Sequence, residues 1–185
     1  MKADLRVIKT RQLIREALLD LMSERELSGI TISELCAHAG INRKTFYRHY
    51  RTVGDVITEI ENDILAEFAD VFKSHRSSIF DVGGVLREIG ATVEQRREYF
   101  MKLLKHNPDL FGKGKIKAAL CRMVSVSLRN SGTVKDENAI FAAAEFAVSG
   151  VLSLYALWFD GGCEGSLEFM TEVAVKMISR GLAAI

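Results

Sequence analysis

The chain has 185 residues, of which 48% are hydrophobic and 26% charged, a globular composition with length enough to bury a core; this excludes a disordered chain. A single proline and 14 glycines exclude collagen-like and proline-rich architectures, and three widely spaced cysteines, Cys36, Cys121 and Cys163, speak against a disulfide framework and for a reducing compartment. The net charge of +1 is unevenly spread: residues 1–52 hold ten Lys/Arg against six Asp/Glu, whereas the other 133 hold 15 against 18, so a basic segment precedes a slightly acidic body.

Residues 5–27 carry Leu5, Ile8, Leu13, Ile14, Ala17, Leu18, Leu21 and Met22 at helical spacing. Gly29 suits a left-handed residue closing that helix, with Ile30 as the apolar contact behind it. Thr31-Ile32-Ser33-Glu34 is a capping box that predicts a short helix over about 32–39. Gly40 suits its left-handed stop, Ile41 a buried pin, and Asn42 the N-cap of a third helix over 43–50. Thr52 and Asp55 open a fourth helix over 53–75, in which Val56, Ile57, Ile60, Ile64, Phe68, Val71 and Phe72 recur at helical spacing. Further helices are expected at 79–89, 92–106, 113–130, 137–160 and 166–181, with Thr92…Gln95 as another capping box. Asn107-Pro108, Asn130-Ser131-Gly132 and Gly161-Gly162 mark turns. There is no alternation of strand type, so the expected class is all-α.

The segment TISELCAHAGINRKTFYRHY (31–50) is the most informative. Two short helices meet at a glycine turn, with Ile32, Leu35, Cys36, Ile41 and Phe46 as apolar pins, which is the helix-turn-helix pattern. The second helix opens with Asn42, Arg43, Lys44 and Thr45 and continues through Tyr47, Arg48 and His49. A recognition helix reaches base edges with its amino-terminal end, so Arg43 suits bidentate pairing with guanine, and Lys44 suits a base edge or a phosphate. Thr31, Thr45, Tyr47 and His49 can donate to phosphate oxygens.

Residues 10–55 resemble the DNA-binding head of the TetR family of regulators. The resemblance rests on Thr10-Arg11, Ile14, Thr31-Ile32, Leu35, Ala39-Gly40-Ile41, Thr45-Phe46-Tyr47, Tyr50 and Asp55. It implies a homodimer in which the three amino-terminal helices (1–52) bind a pseudo-palindromic operator in double-stranded DNA. A helical domain (53–185) would dimerise and bind a small-molecule effector, usually to release a repressor. By position it implies phosphate contacts at Thr31 and Tyr47 and base readers at Arg43 and Lys44. Many members carry a lysine at the start of the fourth helix; here Val53 and Gly54 stand there, and Arg51 is the nearby replacement. Phe146-Ala147-Val148-Ser149-Gly150, Trp158 and Gly161-Gly162 resemble a branch that also holds coactivators. The alternative, which the Val53 departure supports, is a coactivator or adaptor of the same fold acting mainly through a partner protein.

Residues 139–159 are apolar over 21 positions except for Glu145. Length alone would suit a membrane span. A charge inside the stretch, acidic flanks at Asp136, Glu137 and Asp160 and the absence of adjacent basic anchors favour a buried helix instead. Ala143, Ala147, Gly150 and Ser153, with Val173 and Met177 on the last helix, are the expected dimer contacts. An effector pocket would draw on Phe68, Phe72, Phe100, Met101, Leu104, Phe111, Met123, Phe141 and Trp158. Cys36-Ala37-His38 has no second ligand pair, and no phosphate loop or Ser/His/Asp array occurs, so no metal, cofactor or catalytic role is expected. The opening MKADLRVIKTRQL lacks the apolar run of a secretory signal, which makes the cytoplasm the expected location.

Overall fold

The structure is a computed structural model that describes residues 5–75, 81–107, 111, 114–132, 134–162 and 164–183. Among the described residues every regular element is helical. Helix α1 (Leu5–Met22) buries Ile14, Ala17, Leu18, Leu19, Leu21 and Met22, while Leu5, Ile8 and Leu13 are exposed, so only the carboxy-terminal part of the apolar stripe is core. The helix stops at Met22, and Leu27–Gly29 forms a separate 3-10 turn. Gly29 is not left-handed as expected. The i→i+3 bonds Gly29 N–H to Glu26 O (3.1 Å) and Ile30 N–H to Leu27 O (3.1 Å) close this turn in ordinary right-handed backbone.

Helix α2 (Ile32–His38), helix α3 (Arg43–Tyr47) and helix α4 (Val53–Ser74) follow. Helix α5 (Val82–Gln95) runs unbroken through Thr92. The expected box at Thr92…Gln95 is therefore not formed. Val85, Leu86, Ile89 and Val93 keep one buried face in register, and the helix propagates to Arg96, whose N–H bonds to Thr92 O (3.2 Å). Its N-cap is Asp81, which accepts from Gly84 N–H at 2.8 Å. Helices α6 (Arg97–Leu104), α7 (Lys115–Ser131), α8 (Glu137–Phe159) and α9 (Leu167–Leu182) complete the set. Asp136 and Ser166 cap α8 and α9, and left-handed Gly132 (φ +66°) closes α7. Pro108, Cys163 and the expected helix starts at 79 and 113 lie outside the described residues.

The chain folds as two compact units. The first comprises Met1–Asp63 with Glu98–Asn107. Within it, α1 is tied to α4 by Arg11–Glu59 (3.2 Å) and Arg15–Asp63 (2.5 Å). Lys102 of α6 meets Asp20 of α1 at 2.6 Å, and Asn107 accepts from Leu27 N–H at 3.0 Å. A segment distant in sequence thus supports the turn that leads into α2.

The second unit comprises Ile64–Arg97 and Pro108–Ile185. In it α9 packs on α5 and α8, and α7 packs on α8. Leu86, Ala174, Val175 and Ile178 form one apolar cluster; Leu128, Val134 and Ile140 form another. By length and composition α8 could cross a membrane. Here it lies along α7 and α9, and its mid-helix charge, Glu145, pairs with Lys117 of α7 at 2.9 Å.

A buried hydroxyl pair marks the meeting of α5, α8 and α9. Thr171 donates to Leu167 O (2.8 Å), which leaves its oxygen free to accept from the Tyr155 hydroxyl (2.9 Å). Gly90 faces this pair, and a Cβ there would stand 2.8 Å from Thr171 Oγ1 and 3.0 Å from the Tyr155 oxygen. Gly90→Ala should therefore destabilise the second unit by about 1–3 kcal/mol, since its gain in helix propensity is smaller than the overpacking cost. Urea unfolding followed by circular dichroism measures it; an unchanged midpoint would show that the joint relaxes freely.

Candidate nucleic-acid interface

The interface is built from two caps and one buried ring. Thr31 Oγ1 accepts from Glu34 N–H (3.3 Å), and the Glu34 carboxylate accepts from Thr31 N–H (3.0 Å) and the Thr31 hydroxyl (2.7 Å). This is the capping box that the sequence predicts. The bonds from Thr31 hold the Glu34 carboxyl below the usual carboxylate range, with Arg25 (3.0 Å) adding to them. Left-handed Gly40 (φ +65°) reverses the chain, and Ile41 N–H bonds back to Cys36 O at 3.0 Å. Asn42 Oδ1 then accepts from Thr45 N–H at 2.8 Å and starts α3.

Leu35, Cys36 and Phe46 are buried and pin α2 and α3 together; Ile32 and Ile41 are half-buried. Helix α3 covers only Arg43–Tyr47, shorter than the expected 43–50. Past Tyr47 the chain turns, with Arg48 N–H on Thr45 O (3.3 Å) and His49 N–H on Phe46 O (2.9 Å). That turn buries Tyr50 beside the Phe46 ring, with centroids 5.8 Å apart.

Asn42, Arg43, Lys44, Thr45, Tyr47 and His49 lie on one short segment, and Thr31 stands apart from it at the start of α2. Arg43, Lys44 and Tyr47 are exposed, Tyr47 at 56%. The Arg43 guanidinium donates to Ser33 Oγ, which orients it from α2. Thr31 and Asn42 are exposed but committed as caps, while Thr45 and His49 are half-buried.

A second feature was not legible in the sequence. An open cleft of about 500 Å³ is lined by Arg11, Tyr47, Arg48, His49, Tyr50, Arg51, Asp55 and Glu59. Arg11 enters from α1, where it lies 5.6 Å over the Tyr50 ring and pairs with Glu59. Asp55 accepts from Arg51 N–H (2.7 Å) and Thr52 N–H (3.0 Å), which hold its carboxyl below the usual range. Burial and the nearby Glu59 push the Tyr50 phenol up to about 12. Burial, then Arg11 and Arg48, hold His49 below the ordinary histidine value, against an opposite pull from Glu59.

The remaining sequence candidates lie elsewhere. Phe68, Phe100, Leu104, Phe111 and Trp158 are buried, Phe72 and Met123 half-buried, and Met101 and Phe141 exposed. Phe100, Met101 and Leu104 belong to the first unit and the other six to the second. Ala143 and Ala147 pack on the protomer's own clusters, and Val173 is half-buried, whereas Gly150, Ser153 and Met177 are exposed. Among the described residues no group of three or more His, Cys, Asp and Glu could hold a metal ion.

Residues 14–59 match the family model described as bacterial regulatory proteins, tetR family. The chain is 35% identical over 68 residues to the uncharacterised HTH-type transcriptional regulator YxbF of Bacillus subtilis (strain 168), a stretch covering 36% of this chain and 18% of that protein. A TetR transcriptional regulator from Streptococcus agalactiae 2603V shares its fold with a TM-score of 0.67 at 23% identity, over 95% of this chain and 96% of the other. A tetR-family regulator from Streptomyces coelicolor gives 0.62 at 20% identity, over 95% and 82%.

The Asn42 cap should be worth about 1 kcal/mol, so Asn42→Ala lowers stability by that much and Asn42→Asp or Asn42→Ser largely preserves it. Because Glu34 and Asp55 are held below their unfolded values, their contribution is complete above about pH 4 and fades as pH falls through the folded values. Chemical denaturation across that range measures both effects; an Asn42→Ala protein as stable as the parent would remove the cap from the account.

Proposed function

Residues 14–59 belong to the tetR family of bacterial regulatory proteins, and from that premise we propose that the chain is a sequence-specific, DNA-binding regulator of transcription that places α3 in the major groove. One observation carries the reading. Helix α3 is fixed from below by Phe46 and at its start by Asn42, and the side chains that remain exposed along it are Arg43, Lys44 and Tyr47. A rigid helix that offers a guanidinium, an ammonium and a phenol at its leading edge suits base edges flanked by phosphates. Ser33 occupies one of the donors of Arg43 and leaves the others to pair with guanine. Lys44 reaches a base edge or phosphate, and Thr31, Thr45, Tyr47 and His49 serve the backbone. The family points to a regulator rather than a catalyst.

The working form is a homodimer. The exposed residues Ala142, Phe146, Gly150, Ser153 and Leu157 follow one stripe of α8, and Phe169, Val173 and Met177 follow one stripe of α9. Phe146 is 71% exposed, Phe169 59% and Met177 60%. So large an apolar surface on the two neighbouring helices suits a second copy, which would form a four-helix contact across a two-fold axis. The two recognition helices would then meet half-sites about 34–36 Å apart on a pseudo-palindromic operator.

In this reading residues 1–52 are the DNA-binding domain and residues 53–185 the ligand-binding and dimerisation domain. The regulator is a cytoplasmic repressor, released by a small molecule that binds the DNA-free arrangement more tightly.

Tyr47→Ala should weaken operator and unrelated duplex alike, by about 1 kcal/mol or roughly fivefold, because a phosphate contact carries no sequence information. Arg43→Ala should cost about 1–3 kcal/mol on the operator and relax preference at one base position. Footprinting of the full chain on the promoter next to its own gene, followed by fluorescence anisotropy, tests both. An Arg43→Ala protein with unaltered base preference would exclude Arg43 as a reader, and a chain that binds no duplex would overturn the function.

Phe146→Asp should convert the dimer to a folded monomer and cost most of the operator affinity. Sedimentation velocity measures the mass; a dimer that survives the substitution would move the interface off this stripe.

A further inference from the structure

Arg43 is tied to a second helix. Its guanidinium donates from Nη2 to Ser33 Oγ, ten positions earlier on α2. Both residues are exposed. The neighbouring carboxylate, Glu34, faces the other way, toward Thr31 (2.7 Å) and Arg25 (3.0 Å). A second observation places the Arg43 charge back over α2: burial pushes the Cys36 thiol up, and the Arg43 charge pulls against it. The partner of Arg43 is thus a neutral hydroxyl. It takes one donor and leaves the positive charge and the remaining N–H groups of the guanidinium facing solvent.

The two ends of this bond stand on a fixed frame. The capping box of Thr31 and Glu34 starts α2, the Asn42 cap starts α3, and the bond from Ile41 N–H to Cys36 O (3.0 Å) holds the turn between them. Arginine has a long side chain that loses rotamer freedom when it is ordered on a partner. A hydrogen bond made before binding removes part of that loss. It also fixes the plane of the guanidinium, which is what discrimination needs. Guanine offers two acceptors, N7 and O6, whereas adenine offers N7 beside a donor and thymine only O4. An oriented guanidinium that places two donors side by side rewards guanine alone; a freely rotating one settles for single bonds that the other bases also accept.

We propose that Ser33 is a specificity-determining positioning residue: its hydroxyl aims Arg43, so that base preference at one position of the site belongs to the Ser33–Arg43 pair and α2 takes part in readout. The inference rests on the DNA-binding reading above. Its consequence is a separation of specificity from affinity. Removing the hydroxyl leaves every positive charge in place, so attraction to an arbitrary duplex is unchanged while discrimination at that position falls. The fold does not depend on Ser33. The capping box is made by Thr31 and Glu34, and Ser33 is exposed on α2 with alanine the better helix former at such a position.

The test is selection of bound duplexes from a randomised pool by the full-length protein, followed by anisotropy on the selected and on an arbitrary duplex at constant ionic strength. Ser33→Ala should lower preference by about threefold to tenfold at the position that Arg43→Ala relaxes, with affinity for the arbitrary duplex unchanged. Ser33→Thr should retain the preference and Ser33→Val lose it; this pair isolates the hydroxyl from side-chain size and helix propensity. The double variant Ser33→Ala with Arg43→Ala should lose no more than Arg43→Ala alone, since the two act as one unit. Parental preference in Ser33→Ala beside a relaxed Arg43→Ala would overturn this inference and leave the DNA-binding reading intact. So would additive losses, or a uniform drop on every sequence, which would make Ser33 an independent contact. A pool that yields no bound duplex would overturn the DNA-binding reading itself.

Discussion

The recognition segment depends on the burial of one ring. Helix α3 has five residues, far fewer than a helix needs to persist in water by itself. It holds because Phe46 is completely buried, packed against Tyr50, while Asn42 satisfies a free amide at its start. The exposed side chains inherit that rigidity. Arg43, Lys44 and Tyr47 sit on a fixed frame, so in the proposed DNA-binding role the entropy of ordering the backbone is lost on folding rather than on binding. Beneath the frame, Asp20 and Leu27 are held by Lys102 and Asn107, residues some eighty positions away. The head is thus not a contiguous piece of sequence, although the residues that would touch DNA are.

The electrostatics of the head follow from where its acids are used. Residues 1–52 carry a net +4, a modest excess. Within that span Glu34 accepts from a backbone amide, and just beyond it Asp55 does the same, while Glu59 and Asp63 pair with Arg11 and Arg15. A carboxylate that accepts from backbone amides keeps its charge, and Asp55 and Glu59 line the same cleft as Arg48 and Arg51, so the cations there are partly balanced. Exposed pairs of this kind add little to stability; their effect here lies in which charges they leave uncovered.

Helix α8 shows how an unusually apolar sequence is accommodated in a helical bundle. Ile140, Ala144, Val148, Tyr155 and Trp158 face the protomer's interior, and Glu145 answers Lys117 on α7. The opposite stripe, through Phe146 and Leu157, stays exposed in the single chain. An element apolar on both sides needs two partners, and the chain itself supplies one. The same division explains why Ala143 and Ala147 are packed within the protomer while Gly150 and Ser153 are not.

Local chemistry made much of this legible from the residues in order. The capping box at Thr31, the left-handed Gly40, the Asn42 cap and the alternation of apolar pins act over three or four positions, and each forms as its spacing dictates. Signals at that range fail where a longer-range one overrides them. Thr92 lies inside α5 because the buried face continues past it, and Gly29 needs no left-handed backbone because a 3-10 turn closes there. The five-residue limit of α3, the capture of residues 98–107 by the head, and the convergence of Arg11, Arg48, His49 and Arg51 on one cleft belong to the tertiary structure alone. Periodicity tells which side of a helix is apolar. Only packing decides which helix meets that side, and therefore which distant charges come to share one patch of solvent.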